Sequence, residues 1–204
     1  TWYVPHDVPG LVSTMGNDRF VDRLEWGMKQ SEGFSFNALG DRMADYPINH
    51  GNETNMQAAY LFNFTDAPWL TQKWARAIQE LYYGMGPRDA YPGDEDQGQM
   101  SAWYVLSSMG LFEMDGGCAV EPMVEFGSPR FDEVTIQLSD TYHGGKTLRI
   151  VAHDVSRKNC YIRSVRFNGI DIHEPRIAWN ELKKGGVLEF WMDSVPAPDW
   201  WSVK

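Results

Sequence analysis

The hydrophobic period of this chain changes once, at Gly110, and that change limits the available folds more than any other feature of the sequence. Before Gly110 apolar residues recur at helical spacing; after it they alternate. Asp18 to Gln30 carries Phe20, Val21, Leu24 and Met28 at that spacing, with Asn17 or Asp18 placed to cap it. Thr54 to Phe64 reads as a short apolar helix. Ala67 to Gly84 has Pro68 in its first turn, Leu70, Trp74, Ile78 and Leu81 on one face and a glycine stop. Gly98 to Met109 repeats the helical pattern through Met100, Trp103 and Leu106. Beyond Gly110, Phe131–Leu138, Thr147–Ala152, Asn159–Phe167, Ile170–Ile172 and Gly186–Met192 read as strands, with Asn168-Gly169 as a hairpin turn. The expected fold is therefore α+β, with helices over residues 1–112 and an antiparallel β-sheet region over residues 113–204.

Composition narrows the partners. The 204 residues are 43% apolar and carry nine Trp, nine Tyr and ten Phe, ample for a core, with a formal charge of −10. That charge argues against nucleic acid or an anionic membrane as the main partner. No apolar run is long enough to span a bilayer. Cys118 and Cys160 lack zinc-site spacing; they could pair, but two cysteines in strand-rich sequence read first as buried small residues.

Chemistry concentrates at Tyr91-Pro-Gly-Asp-Glu-Asp-Gln-Gly-Gln-Met-Ser-Ala-Trp-Tyr104, where Asp94, Glu95 and Asp96 crowd a Pro/Gly turn ahead of a helix. A helix entrance favours anions, so capping explains one carboxylate and not three. Asp94 and Asp96, two apart in an extended turn, can face the same side and hold a water or a hydrated cation. Activated water beside a sugar is what inverting glycoside hydrolysis needs. A second oxygen-rich stretch, Asn52, Glu53, Asn55 and Gln57, suits either a helix start or a hard cation such as calcium. His6-Asp7 lies between two prolines that would fix both side chains. Trp74 and Trp103 read as core, Trp200 and Trp201 as a seal on the end of the sheet, and Trp2 and Tyr91 as the aromatics placed for sugar contact.

Taken in order, Val4-Pro-His-Asp-Val-Pro-Gly-Leu11, Gly51-Asn-Glu53, Ala59-Tyr-Leu-Phe-Asn63, Pro68-Trp69, Gly93-Asp-Glu-Asp-Gln-Gly-Gln-Met-Ser-Ala-Trp-Tyr104 and Gly127-Ser-Pro-Arg-Phe-Asp132 resemble family 92 glycoside hydrolases, calcium-dependent, inverting exo-α-mannosidases. The resemblance implies the last helices of an (α/α)6 toroid followed by β-structure, with the remainder of the same polypeptide upstream of Thr1 as a partner. It implies Asp94 and Asp96 as the base, and His6, Asp7, Glu53, Trp2 and Gln99 as residues that bind a mannose-containing glycan. It also implies Ca²⁺ near Glu53, Asn52 and Asp94, and a general acid, a Glu, before Thr1. Such a fragment alone is expected to be inactive, and a periplasmic or secreted location follows from the family's habit. Where many members continue Asn-Glu with Pro-Ser-His-His, this chain has Thr54-Asn-Met-Gln57, so no linkage preference carries over. The rival readings are a non-catalytic glycan- or calcium-binding or structural fragment, and a glycoside phosphorylase.

Overall fold

A computed structural model describes residues 2–37 and 47–201. Helix α1 (Val8–Met15) opens on Asp7, whose Oδ1 accepts the Gly10 N–H at 2.9 Å, and holds Pro9 in the first turn, where a missing N–H costs nothing. Gly16 closes α1 and caps α2 (Asn17–Glu32), which buries Phe20, Leu24 and Met28. The cap expected from Asn17 or Asp18 is not made by a side chain: Asn17 Oδ1 instead accepts the Asp66 N–H at 3.1 Å, tying α2 to the end of a later segment. The apolar stretch from Thr54 to Phe64 is not an α-helix but two 3₁₀ segments, Glu53–Asn55 and Ala58–Phe64. Every residue from Ala58 to Asn63 is buried, so packing on all sides, rather than helical propensity, sets the winding there. Helices α3 (Trp69–Leu81) and α4 (Gln99–Ser108) follow, with Trp74 and Trp103 inside the core and Leu81, in the last turn of α3, exposed.

The second half forms two sheets. The strands are β1 (Leu111–Phe112), β2 (Met123–Phe126), β3 (Glu133–Gln137), β4 (Thr147–His153), β5 (Tyr161–Phe167), β6 (Ile170–Ile172), β7 (Arg176–Ala178) and β8 (Gly186–Asp193). One sheet runs β1-β2-β7, the other β3-β4-β8-β5-β6. The Asn168-Gly169 hairpin has positive φ at both positions, 51° and 79°, as the dipeptide demands. The antiparallel expectation needs one correction: β4 and β8 pair in parallel, Leu148 with Gly186 through His153 with Trp191, so the larger sheet is mixed. Alternating hydrophobicity reports which face is buried and not which way a strand runs. The chain between β4 and β8 is long enough for a parallel return.

Two apolar clusters result, one from Trp2 to Trp103 and one from Leu111 to Trp201, with Trp69 packed against both. Trp200 and Trp201 are buried in the second, Trp201 5.7 Å from Trp69. Both cysteines are free thiols, and Cys118, contrary to the expectation of burial, is exposed.

Buried polar side chains cross from one cluster to the other. Arg76 of α3 donates to Ser156 O (3.0 Å), Ser128 Oγ (3.0 Å) and Pro129 O (2.5 Å). Gln72 Oε1 accepts the Ile162 N–H at 2.9 Å. Asn63 Nδ2 donates to Phe126 O, Pro175 O and Glu125 Oε2 at 2.9, 3.1 and 3.2 Å.

Glu125 gives this junction a pH dependence. Burial pushes its carboxyl up to about 7, against the opposing pull of Arg176 and the Asn63 hydrogen bond, while Asp115 and Glu174 push the same way as burial. Between its ordinary value of 4.5 and about 7 the folded chain holds a proton that the unfolded chain has released, so raising the pH favours unfolding. The contribution is greatest below pH 4.5 and is lost as the pH rises through 7, on the order of 3 kcal/mol in all. Urea unfolding midpoints should fall across that window, and Glu125→Gln should flatten the fall; an unchanged slope in the variant would remove Glu125 as its cause.

Candidate active site

The acidic turn is held from behind by two tyrosines at the end of α3. Tyr82 Oη donates to Pro92 O at 2.5 Å, and Tyr83 Oη to Met100 O at 3.0 Å. Between these anchors Asp96, Gln97 and Gly98 take left-handed φ values of 54°, 61° and 95° in succession. Three such residues in a row reverse the chain tightly enough for Glu95 to fold back over the start of α4. Glu95 O accepts the Met100 N–H at 3.3 Å, and its Oε1 accepts the Ser101 N–H at 2.8 Å. Hydrogen bonding to Ser101, first through its side chain and then its backbone, holds the Glu95 carboxyl below its usual range. One of the three carboxylates thus satisfies a free N–H in the first turn of α4, whose cap position is Gly98, and so takes the capping role that could explain one of them. Among the described residues, neither Asp94 nor Asp96 has a side-chain hydrogen bond or ion pair.

Asp96 feels the consequence. Its carboxyl is pushed up, first by burial and then by the negative charges of Glu53, Asp94 and Glu95, with nothing positive to offset them. Glu53 thus shares the electrostatic neighbourhood of the acidic turn, although it lies 43 residues earlier by number (96 − 53).

Glu53 arrives there through His50 and Gly51. The His50 ring is fully buried against Trp103, Tyr82 and Tyr83, with centroids 4.3, 4.9 and 5.5 Å away, and its Nε2 meets Tyr83 Oη at 2.8 Å. Burial drives its pKa down to about 3, so the ring stays neutral. A side chain at Gly51 would place a Cβ 2.7 Å from Tyr82 Oη, so glycine is what lets that hydroxyl stand between the Glu53 segment and the acidic turn. Asn52 Oδ1 accepts from Thr54 N (3.2 Å) and Thr54 Oγ1 (2.7 Å), capping the 3₁₀ segment that Glu53 begins. Glu53 itself is exposed and shares with Gln99 a cavity of about 390 Å³ walled by Tyr3, Trp103, Phe112 and Glu113.

The amino-terminal candidates lie differently. Trp2 is buried edge-on to Phe20 at 5.3 Å and borders a separate cavity of about 300 Å³ with Tyr3 and Trp26. Asp7 is engaged as the α1 cap, His6 is exposed beside it, and neither lines the Glu53 cavity, which Tyr3 and Pro5 do reach. Tyr91 packs partly buried on the helical core. Asp96 lies within electrostatic reach of Glu53 and Asp94, while Gln99 lines the Glu53 cavity, whose wall includes neither Asp94 nor Asp96. Sequence reasoning missed Tyr82, Tyr83 and His50 as supports, and the only available signal was the aromatic pair at the end of a periodic helix.

Hard oxygen donors are present, but they do not by themselves fit a calcium ion. Among the described residues no three His, Cys, Asp or Glu side chains converge on a point that could hold a metal, and Asn52 Oδ1 already serves two Thr54 donors. What the arrangement can do without a metal is accept a proton. Two carboxylates free of hydrogen bonds, one of them with a raised pKa, are suited to orient and deprotonate a water.

The division of the three carboxylates is testable by stability. Glu95→Ala should lower the thermal midpoint and speed amide exchange at Ser101 by roughly an order of magnitude. Asp94→Asn and Asp96→Asn should leave the midpoint unchanged or raise it, because they relieve repulsion. Destabilisation by all three alike would mean that the turn is purely structural.

Comparison with known proteins identifies the family. Residues 1–194 match the model of the glycosyl hydrolase family 92 catalytic domain. The structure superposes on a family 92 α-mannosidase of Bacteroides thetaiotaomicron with a TM-score of 0.82 at 31% identity, covering 97% of this chain and 24% of that one. A family 92 inverting mannosidase of the same organism superposes with a TM-score of 0.76 at 33% identity, covering 97% of this chain and 27% of that one. A secreted glycosidase of Arthroderma benhamiae, itself uncharacterized, is 28% identical over 191 residues, 92% of this chain and 22% of its own length. The chain thus spans about a quarter of the length of the relatives it matches. A family-model match over residues 1–194 and superposition on two family 92 mannosidases over 97% of this chain lead to one conclusion: the chain belongs to glycosyl hydrolase family 92.

Proposed function

We propose that this chain is the carboxy-terminal part of an exo-acting α-mannosidase that hydrolyses terminal α-linked mannose from glycans with inversion. The observation that carries the reading is the division of the acidic turn, in which Glu95 caps α4 while Asp94 and Asp96 stay free of partners and Asp96 has a raised pKa. In the proposed mechanism Asp94 and Asp96 hold a water against the anomeric carbon. As the glycosidic bond lengthens and positive charge develops on the sugar, they take the water's proton and stabilise that charge. Glu53 and Gln99, on the wall of the same cavity, bind sugar hydroxyls, and the exposed ring of Tyr3 supplies apolar surface for the sugar's C–H face. Inversion also needs an acid on the far side of the bond, roughly 6.5–9.5 Å from the base, and that role is assigned to a Glu upstream of Thr1. A calcium ion would need oxygen donors beyond Glu53 and Asp94, and no step here passes through one. Export belongs to the same proposal, resting on the secreted fungal relative; among the described residues no helix is long and apolar enough to cross a membrane.

The native polypeptide that contains this chain, incubated with an α-mannoside, should release mannose whose first-formed anomer by proton NMR is β. Asp94→Asn and Asp96→Asn should each lower kcat by about 10²–10⁴-fold with little change in stability. Full activity in either variant, or α-mannose as the first product, would defeat the assignment.

The pH profile supplies an independent check. Activity needs ionised Asp96, so it is lost as the pH falls through that group's raised pKa. Among the neighbouring charges Glu53 raises it most, so Glu53→Gln should shift the acid limb of kcat/KM to lower pH. A shift to higher pH would contradict the electrostatics.

A further inference from the structure

Helix α4 is covered on the wrong side for its sequence. Its last-turn serines, Ser107 and Ser108, have 0% and 2% of their surface exposed, and Ser108 Oγ has no hydrogen-bond partner among the described residues. Val105, by contrast, is 56% exposed, Ala102 is exposed as well and Leu106 is half-buried. These three stand at i, i+3 and i+4, so they form one apolar stripe along the helix. A helix at a finished protein surface shows its polar residues to water and buries its apolar ones. Beyond its first turn α4 does the reverse, which is the pattern of a helix packed on both sides.

The stripe borders the Glu53 cavity of about 390 Å³, which Ala102 and Leu106 both line. One end of its wall is polar, with Glu53 and Gln99 at the start of α4. Two turns further along the helix, about 10 Å on, the wall is made by Leu106, Phe112 and Met114. Glu113 and Asp115 flank that apolar end, and no Lys, Arg or His is among the described residues that line the cavity. A second copy of the chain is therefore a poor cover. Each copy has a formal charge of −10, and pairing this face with itself would set Glu113 and Asp115 against their equivalents. Tyr3 and Pro5 line the same cavity, so polypeptide ahead of Thr1 is delivered to its mouth. The relatives, about four times as long as this chain, have ample chain to supply a cover.

We propose that the stripe of Ala102, Val105 and Leu106, with the apolar end of the adjoining cavity, is the docking site for a helix from the polypeptide ahead of Thr1. The inference rests on the reading of this chain as the carboxy-terminal part of a longer mannosidase. A ridge of side chains at i, i+3 and i+4 is what a second helix packs against, and the groove beside it accepts the apolar side chains of the partner. Attachment through the same chain keeps the partner at high effective concentration, so the face is covered without any dependence on protein concentration. Seated over Leu106, Phe112 and Met114, the helix leaves the Glu53 and Gln99 end open to a sugar.

Thiol labelling of Val105→Cys in the native polypeptide that contains this chain tests the site, with iodoacetamide as the probe and mass spectrometry of the peptide around residue 105 as the readout. Labelling should be at least about tenfold slower than in the same polypeptide unfolded in urea, and equally slow from micromolar to nanomolar protein. Labelling as fast as in urea, or protection lost on dilution, would overturn the proposal, the latter because it means a second copy. Photo-cross-linking from p-benzoylphenylalanine in place of Glu113 should join a peptide ahead of Thr1; a cross-link to a peptide after Lys204 or to another copy would overturn it as well. Val105→Asp, harmless on an open helix face, should lower the thermal midpoint by several degrees, whereas Val120→Asp, at a fully exposed position, should not. If Val105→Asp does not fold, the labelling decides. Mannoside hydrolysis measured on the same preparation separates the two readings. Slow labelling without mannose release defeats the mannosidase assignment and supports the docking site, and fast labelling with mannose release defeats the docking site alone.

Discussion

Helix α3 is held in place by polar side chains that reach out of the helical half and hydrogen-bond to loops and strands of the β half, and the rest of the molecule depends on that seam. Arg76 and Gln72 both project from α3, and Asn63 projects from the 3₁₀ segment packed beside it. Most of their partners are main-chain groups, which cannot adjust by changing rotamer. Hydrogen bonds from a charged donor contribute about 1.5–3 kcal/mol each, and losing one here would also strand a buried carbonyl. Apolar packing alone would let α3 slide along the sheet; the seam fixes its register. That register is transmitted to the site, because Tyr82 and Tyr83 end α3 and their hydroxyls brace Pro92 and Met100 on either side of the acidic turn.

The acidic turn then follows from backbone geometry rather than from charge. Three successive left-handed residues are an unfavourable arrangement, tolerated because the tyrosine braces and the α4 cap over-determine the loop. The arrangement sends the middle carboxylate back onto the helix and leaves the outer two unopposed. Burial of Asp96 and the approach of Glu53 raise its proton affinity. A fold selected only for stability would place Asn or Ser at 94 and 96, since both tolerate turns and neither repels its neighbour.

Much of this was legible in the sequence, for physical reasons that also mark where legibility stopped. The periods of α2, α3 and α4 and of the long strands survive in the structure because each of those elements buries one face. The segment Ala58–Phe64 misled because it is buried all round, which leaves no period to read. Parallel pairing of β4 with β8 was hidden because side-chain alternation carries no direction. That capping could account for one of the three carboxylates was legible, but which one was not. The choice of Glu95 depends on the left-handed run after it, and that bond spans six residues. His50 was out of reach altogether, since the hydroxyl it meets lies 33 residues away and its burial is a property of the assembled aromatic cluster.

The molecule leaves negative charge uncompensated at the acidic turn, and solvent sets what that costs. Asp94 and Glu53 are exposed, so water and salt screen their repulsion, and the cluster can persist without a ligand at modest cost. Its value lies in the raised proton affinity of Asp96, a property useful at the moment a proton moves. Gln79 and the Nε of Arg76 are shielded from water, so nothing dissipates their unsatisfied hydrogen-bonding capacity. An exposed cluster of like charge therefore argues for a reaction rather than for stability, whereas buried unpartnered groups only subtract from stability.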